Sequence, residues 1–391
     1  MSFAGTTLAV TAALALVAST GCTPATCGCL VPTSGPLPVE DVVAAPPPAA
    51  APPPHAALPE LPTPPGAADV PRPSGPPGNL KVLDWAGFQS AVSYTFDDGQ
   101  PSQIEHYDEL AATGVRLTFF VNSSAADWEH DFVSTFSRAA RDGHEIGNHT
   151  AHHCHADPDG TLYTGNGGPR AACAGASAAA EFDDCTAFIV DKLGTPKVWS
   201  AAWPFGDAGY GPAATARFFL SRGTGPGTVA PNDETDPFNL PMWGPAEHDT
   251  VQKFNAQIDR AHASRRWVIM LLHSLAPTTS AWYATVDVAA VTGSIAHAKS
   301  LGDVWIDSLV NVGAYWRGQK VLAAVTPTAS GTAQKQTQTW TWKLPEHFPP
   351  GRHLRVRVDG GTLSQNGKVL DWDGHGYYQV ALDAGSLTLA P

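Results

Sequence analysis

The sequence predicts an α/β barrel built of βα units, followed by a small all-β domain. Between residues 80 and 318, short apolar runs alternate with longer stretches of helical periodicity. That is the pattern of parallel strands joined by crossover helices. The alternation extends over roughly 240 residues, a length that suits a barrel. From residue 319 onward the apolar period changes to two, and the runs are separated by Pro-Pro-Gly, Asp-Gly-Gly and Asn-Gly. This is the signature of antiparallel strands joined by tight turns.

Ahead of the barrel, residues 7–17 form an apolar run followed by Ala18-Ser19-Thr20-Gly21-Cys22. The run is too short to span a bilayer and reads as the core of an export signal over residues 1–22. The small residues before Cys22 resemble a bacterial lipoprotein cleavage site. That likeness implies a lipidated Cys22, a membrane tether and a location in the cell envelope or outside the cell. Residues 23–79 are rich in Pro and Ala, with Pro-Pro-Pro at 46–48 and again at 52–54. Such a stretch favours extended polyproline II and is expected to act as a stiff linker.

Within the barrel region, strands are expected at residues 91–96, 115–121, 145–148, 198–203, 218–222, 267–272 and 304–306. Helices are expected at 102–113, 128–141, 178–193, 250–264, 283–300 and 309–316. In the last domain, 338–344, 354–358 and 377–382 read as strands. Its Trp340, Trp342, Trp372, Tyr377 and Tyr378 read as core and edge packing before any sugar-stacking role. Among the later cysteines, Cys185 shares a helical face with Phe182, Ile189 and Leu193 and reads as core. That leaves Cys154 and Cys173 as the expected disulfide, permitted in an exported protein.

The 391-residue chain carries a formal net charge of -13 and no basic cluster. This argues against nucleic acid or an anionic membrane surface as partner, since both need concentrated Lys and Arg.

Two constellations carry chemistry. The first is Thr95-Phe96-Asp97-Asp98-Gly99, where an apolar strand ends on paired carboxylates. One carboxylate can hold a cation while the other takes a proton; the alternative is an Asp-Gly turn. The second is Gly147-Asn148-His149-Thr150-Ala151-His152-His153-Cys154-His155. His149 and His153 are four apart, so one helical turn would put both rings on one side. With Asp98 they would form a two-His, one-carboxylate metal site, with His152, Cys154 and His155 as rival ligands.

On these two motifs the chain resembles the polysaccharide deacetylases of the NodB-homology type, carbohydrate esterase family 4. The first motif matches the family's Thr-Phe-Asp-Asp-Gly in full. His149, Thr150 and His153 match its His-Ser/Thr-x-x-His. The resemblance covers residues 80–316 and implies a distorted (β/α) barrel with fewer than eight complete units. It also implies that Asp97 is the general base, and that Asp98, His149 and His153 bind a divalent metal, zinc before cobalt, nickel or manganese. Ala202-Trp203-Pro204-Phe205-Gly206 resembles the family's Arg-x-Pro-Tyr-Gly, with Ala202 at the Arg position. The likeness implies substrate contacts from Trp203 and Pro204 and an oxyanion-holding main-chain N–H at Phe205. It leaves the guanidinium that orients the base to be found elsewhere, and Arg222, at the end of the next strand, is the expected replacement. Leu271-Leu272-His273 resembles the family's Leu-x-His, implying His273 as general acid and Leu271 and Leu272 beside the acetyl methyl. Asp233, Asp236 and Asp249 lie where the family tunes that acid. The expected reaction is N-deacetylation of an N-acetylglucosamine-containing polymer such as peptidoglycan or a chitin-like glycan. The alternatives are O-deacetylation of acetyl-xylan and a catalytically silent glycan-binding protein on the same scaffold.

Overall fold

The computed structural model describes residues 61–391, apart from 128, 165–172 and 333–334. The expected export signal, Cys22 and the linker as far as residue 60 lie outside the described residues.

The elements run in the following order. β1 (Lys81–Val82) precedes β2 (Ser90–Asp98), α1 (Pro101–Glu105), α2 (Tyr107–Ala111), β3 (Thr118–Val121), α3 (Phe132–Arg141) and β4 (Glu145–Asn148). A hairpin, β5 (His155–Ala156) and β6 (Leu162–Tyr163), leads to α4 (Ala178–Leu193) and β7 (Ser200–Ala202). Next come α5 (Gly211–Thr215), β8 (Leu220–Pro226), β9 (Leu240–Met242), α6 (Val251–Ala263) and β10 (Trp267–Leu272). The barrel region ends with β11 (Leu275–Ala276), β12 (Val286–Asp287), α7 (Val288–Ser300), β13 (Val304–Ile306) and α8 (Leu309–Ala323). The remaining strands are β14 (Thr328–Thr332), β15 (Lys335–Thr341), β16 (His353–Arg357), β17 (Thr362–Gln365), β18 (Lys368–Val369), β19 (Trp372–Asp373), β20 (Tyr377–Ala381) and β21 (Ser386–Ala390).

The main sheet is parallel, in the order β10-β2-β3-β4-β7-β8-β9. It closes where Trp243, just past β9, bridges in parallel to Met270 of β10. β13 pairs only with the first residues of β2, below the point where β3 begins. The result is a distorted (β/α) barrel. Its strands alternate cleanly. Val92, Tyr94 and Phe96 of β2 pack outward with α2, α3, α4, α6 and α7 in one core cluster. Ala91 faces a second cluster with Phe120, Leu220, Trp267 and Ile269. Period two therefore carries Asp97, Arg222 and Leu271 to the inner face.

That inner cluster does not stop at the barrel. Trp316 and Leu322 of α8 share it with Trp340, Trp342, Leu354, Val356, Val380, Leu387 and Leu389 of the C-terminal sheets. Those sheets are antiparallel, β1-β16-β20-β19 and β14-β15-β21-β17-β18. α8 runs to Ala323, through the boundary expected at 318/319, and β1 belongs to the C-terminal sheet rather than to the barrel. The aromatic residues of this region, Trp340, Trp342, Tyr377 and Tyr378, are buried.

Other expectations change as well. The helix expected over 102–113 is two short helices that meet at His106. The helix expected over 283–300 begins only at Val288, capped by the Asp287 carboxylate accepting from Ala289 N–H at 2.8 Å. The linker expected to end at 79 is, from 61, laid against the C-terminal sheets. Val70 N–H donates to Gly374 O at 2.8 Å, Gly75 N–H to Asp359 O at 3.0 Å, and Trp372 Nε1 to Val70 O at 2.8 Å. The residues between the prolines keep their N–H groups, so a segment with no core of its own still satisfies another element's edge.

His144 closes the bottom of the outer core. Its Nδ1 accepts from Leu117 N–H at 3.0 Å, and its ring meets Phe119 and Tyr107 edge-on. Burial pushes the imidazole down to about 4 from 6.5. The unfolded chain therefore takes up a proton that the folded chain refuses between these two values, and stability falls as pH drops through that window. The effect is on the order of 3 kcal/mol when complete. Urea unfolding from pH 7.5 to 4 is expected to show a steeper loss below pH 6.5 for the native sequence than for His144→Gln.

Candidate active site

The site lies at the C-terminal ends of the parallel strands, in a pocket of about 750 Å³. Asp97, Asp98, His149, His153, Trp203, Phe205, Leu271 and His273 all line it. Pro204 is buried in the turn beneath Phe205, and Arg222 lies wholly buried under the pocket.

Alternation along β2 would send Asp98 to the helix side, opposite Asp97. The strand breaks there instead, with φ of 76° at Asp98 and 68° at Gly99, and both carboxylates reach the pocket. Gln100 Nε2 donates to Asp98 Oδ2 at 2.8 Å, which leaves Oδ1 for the other side. Oδ1 is 3.2 Å from His149 Nε2 and 3.3 Å from His153 Nε2.

The two histidines meet through a loop and not through a helical turn. After β4 the backbone takes positive φ at Thr150 (67°) and His153 (53°). Thr150 N–H donates to Asn148 Oδ1 at 2.8 Å, and His153 N–H to Thr150 Oγ1 at 3.0 Å. Asn148 in turn donates to Phe182 O and Thr186 Oγ1, each at 2.9 Å, so α4 holds the loop from behind. The rival ligands are engaged elsewhere. His152 pairs with Glu181 at 2.8 Å, His155 with Asp207 at 2.9 Å, and Cys154 forms the disulfide with Cys173. Cys185 is a free, buried core thiol.

The donor set fits a cation. His149 Nδ1 lies 3.0 Å from Ala202 O, so that nitrogen carries the proton and donates, turning the Nε2 lone pair toward Asp98. Asp98 Oδ1 is buried and accepts no well-formed hydrogen bond. Lone pairs of one oxygen and two nitrogens thus converge, with the three ligand atoms within 4.8 Å of one another. Their field demands positive charge. Burial would push His149 down, but Asp97 and Asp98 outweigh it and pull the ring up. Burial would likewise raise Asp98, yet the His149 imidazole beside it, with His153 and His273, holds it well below the usual carboxylate range.

Ala202 of β7 is directly in register with Arg222 of β8, both on the inner face. The small side chain at 202 leaves room, and the guanidinium comes from the neighbouring strand at the same level of the sheet. Arg222 Nη2 donates to Asp97 Oδ2 in a short contact, and Nη1 donates to Gly223 O at 2.9 Å. The guanidinium carbon stands 5.4 Å from the Phe120 ring centre. Phe120 fits there because Gly147 beside it has no side chain; a Cβ would fall 2.4 Å from the ring.

The turn after β7 gives Phe205 a φ of 57° and leaves its ring half exposed. Gly206 is required, since a Cβ would come within 1.9 Å of Thr224 Oγ1. On the other strand, burial holds His273 below its usual value, against the opposing pull of Asp97 and Asp98. Its Nδ1 has no hydrogen-bond partner among the described residues. The three carboxylates considered for tuning it hold turns instead. Asp233 accepts from Ala230 N–H, Asp236 from Phe238 N–H and Asp249 from Ala246 N–H. Gln100 and Ser274, which brace the site, were missed from sequence. Their only signal was adjacency to Asp98 and His273.

Residues 87–216 match the family model for polysaccharide deacetylase. A chitin deacetylase of Pestalotiopsis sp is 40% identical over 65 residues, which is 16% of this chain and 22% of that protein. The match therefore spans about a fifth of the curated relative. Among solved structures, the catalytic domain of a peptidoglycan N-acetylglucosamine deacetylase from Eubacterium rectale is similar at 17% identity and a TM-score of 0.36, covering 61% of this chain and 94% of that one. A family 4 acetyl xylan esterase from Clostridium thermocellum, solved with cobalt, is similar at 17% identity and a TM-score of 0.36, covering 57% and 90%. The barrel assignment rests on the strand order above and not on these likenesses. Over residues 87–216 the chain is thus similar to the polysaccharide deacetylases.

Removing Arg222 would leave the Asp97 carboxylate buried and uncompensated. Arg222→Ala is expected to cost about 3–5 kcal/mol in denaturant unfolding. Arg138→Ala, which breaks an exposed pair with Asp108, should shift the unfolding midpoint far less.

Proposed function

We propose that the protein is a metal-dependent hydrolase that removes acetyl groups from an exported or envelope glycan, with N-acetylglucosamine-containing polymer as its leading substrate. The observation that carries this reading is the convergence, in one pocket, of the Asp98–His149–His153 cluster, the Arg222-held Asp97 and His273. The sequence of residues 7–22 supports export.

Asp98, His149 and His153 would hold the cation, and two imidazoles with one carboxylate suit zinc, with cobalt, nickel or manganese as substitutes. When bound, such a cation supplies Lewis acidity that polarises the acetyl carbonyl and acidifies water. Asp97 takes the proton of the water that attacks the acetyl carbon, and Arg222 fixes the direction in which its free oxygen faces. The Phe205 main-chain N–H donates to the developing oxyanion, a role that needs only backbone and so survives the change of aromatic side chain. Leu271 lies beside the methyl. His273 delivers a proton to the leaving nitrogen, without which an amide anion would have to depart. The products are acetate and a free amine on the sugar. An O-acetyl ester leaves more readily as an alkoxide and depends less on His273.

Acetate release from a panel of acetylated glycans tests the reading. Turnover is expected to vanish with chelator and return with zinc; a protein that releases no chelator-sensitive acetate from any of them would refute it. His273→Ala should lower N-acetyl turnover by about 100-fold or more while leaving a larger fraction of O-acetyl turnover. Equal losses on both would remove His273 from the acid role.

A further inference from the structure

Among the described residues, the large apolar side chains left exposed include four aromatics, Tyr163, Phe205, Trp282 and Tyr283. Two of them, Phe205 and Tyr283, line the active-site pocket, and Tyr163 stacks on the lining residue His155. Trp282 precedes Tyr283 in the chain. Exposed aromatics scattered over a surface mean little, but two at one mouth, with a third stacked on its lining, mark a ligand with apolar faces.

Tyr283 is the most exposed of them, at 67%, yet its backbone is pinned. The Tyr283 N–H donates to Ser274 Oγ at 3.3 Å, and Ser274 N–H donates back to Tyr283 O at 3.2 Å. The Trp282 N–H also donates to Ser274 Oγ, at 2.9 Å. Ser274 is wholly buried, and its hydroxyl donates to Gln100 Oε1, the amide whose other end holds Asp98. The loop between β11 and β12 is thus keyed to the metal-ligand candidate through two side chains. The Tyr283 ring stands edge-on to His273, with centres 4.9 Å apart.

Resting on the deacetylase reading, we propose that Tyr283 is a sugar-stacking platform that makes the enzyme select oligomeric over monomeric substrate. The nitrogen protonated by His273 remains bonded to the sugar ring, so that ring must lie beside His273. Tyr283, in contact with His273, is then within reach of the ring or of its neighbour in the chain. A pyranose with equatorial substituents presents axial C–H groups on its faces, which suit an aromatic face already fixed in place. The ligand class is a β-linked pyranose oligomer carrying acetyl groups. The pocket is larger than one such ring needs and falls in the range of sites that enclose an extended small ligand.

The test uses the zinc-loaded full chain with N-acetylglucosamine oligomers of one to five residues and acetylated xylo-oligomers. Acetate release and calorimetric binding are read for the native sequence, Tyr283→Ala and Tyr283→Trp. Tyr283→Ala is expected to raise KM for the longer oligomers about tenfold and weaken their binding equally, with kcat changed less. The monomer should respond far less, and Tyr283→Trp should restore both readouts. An unchanged KM and affinity for the oligomers in Tyr283→Ala overturns the proposal while leaving the deacetylase reading intact. A native protein that binds oligomers and loses that binding in Tyr283→Ala, yet releases no acetate, refutes the deacetylase reading and keeps the platform.

Discussion

The buried pair between Arg222 and Asp97 is the constraint around which the rest of the barrel is arranged. A guanidinium with no exposed surface is costly unless a carboxylate meets it, and a carboxylate on the inner face is costly without such a partner. Several otherwise unremarked residues make the pair feasible. Ala202 leaves the space across which Arg222 reaches. Phe120 offers its ring to the guanidinium, and Gly147 leaves room for Phe120. None of these four is near the others in sequence. The parallel register of β2, β3, β4, β7 and β8 brings them to one level. The proposed base is thereby held by the scaffold itself, while the proposed metal ligands His149 and His153 sit on a loop braced from α4 and stapled at Cys154.

Much of the site was legible because it is local. Two adjacent acids closing an apolar strand, and a His cluster closing another, announce themselves in one dimension. The strands 145–148, 267–272 and 304–306 and the helix 178–193 were equally plain, since burial on both faces or a clear 3.6 period left little else for them to be. What was obscured depends on partners distant in sequence. The four-residue spacing of His149 and His153 suggested a helical turn, but the same spacing is bridged by a loop with two left-handed residues, whose stability comes from Asn148, Thr150 and α4. The residues 61–79 lack the composition to form a core, and composition is silent on whether such a segment dresses the edge of someone else's sheet. The helix expected to stop at Trp316 continues to Ala323 because its outer face is covered by the C-terminal sheets.

The pocket also separates two kinds of side chain that look alike in a list of aromatics. Trp340, Trp342, Tyr377 and Tyr378 of the C-terminal sheets are buried and contribute volume. Phe205, Tyr163 and Tyr283 beside the pocket are exposed, and each ring packs against a histidine. The Phe205 ring lies flat on His155 at 3.5 Å between centres, His155 lies nearly parallel to Tyr163, and Asp207 fixes His155. Rigid rings lose little freedom when a ligand arrives, which is what a shallow contact with a sugar face requires.

The tryptophan-rich cluster that begins under the active site and continues through α8 into the C-terminal sheets has a bearing on modularity. The C-terminal sheets and the barrel share one interior. The two cannot be exchanged like beads on a string, because cutting at residue 318 would sever a helix and strip the cover from Trp316. The barrel and its C-terminal sheets are therefore built to fold and unfold together.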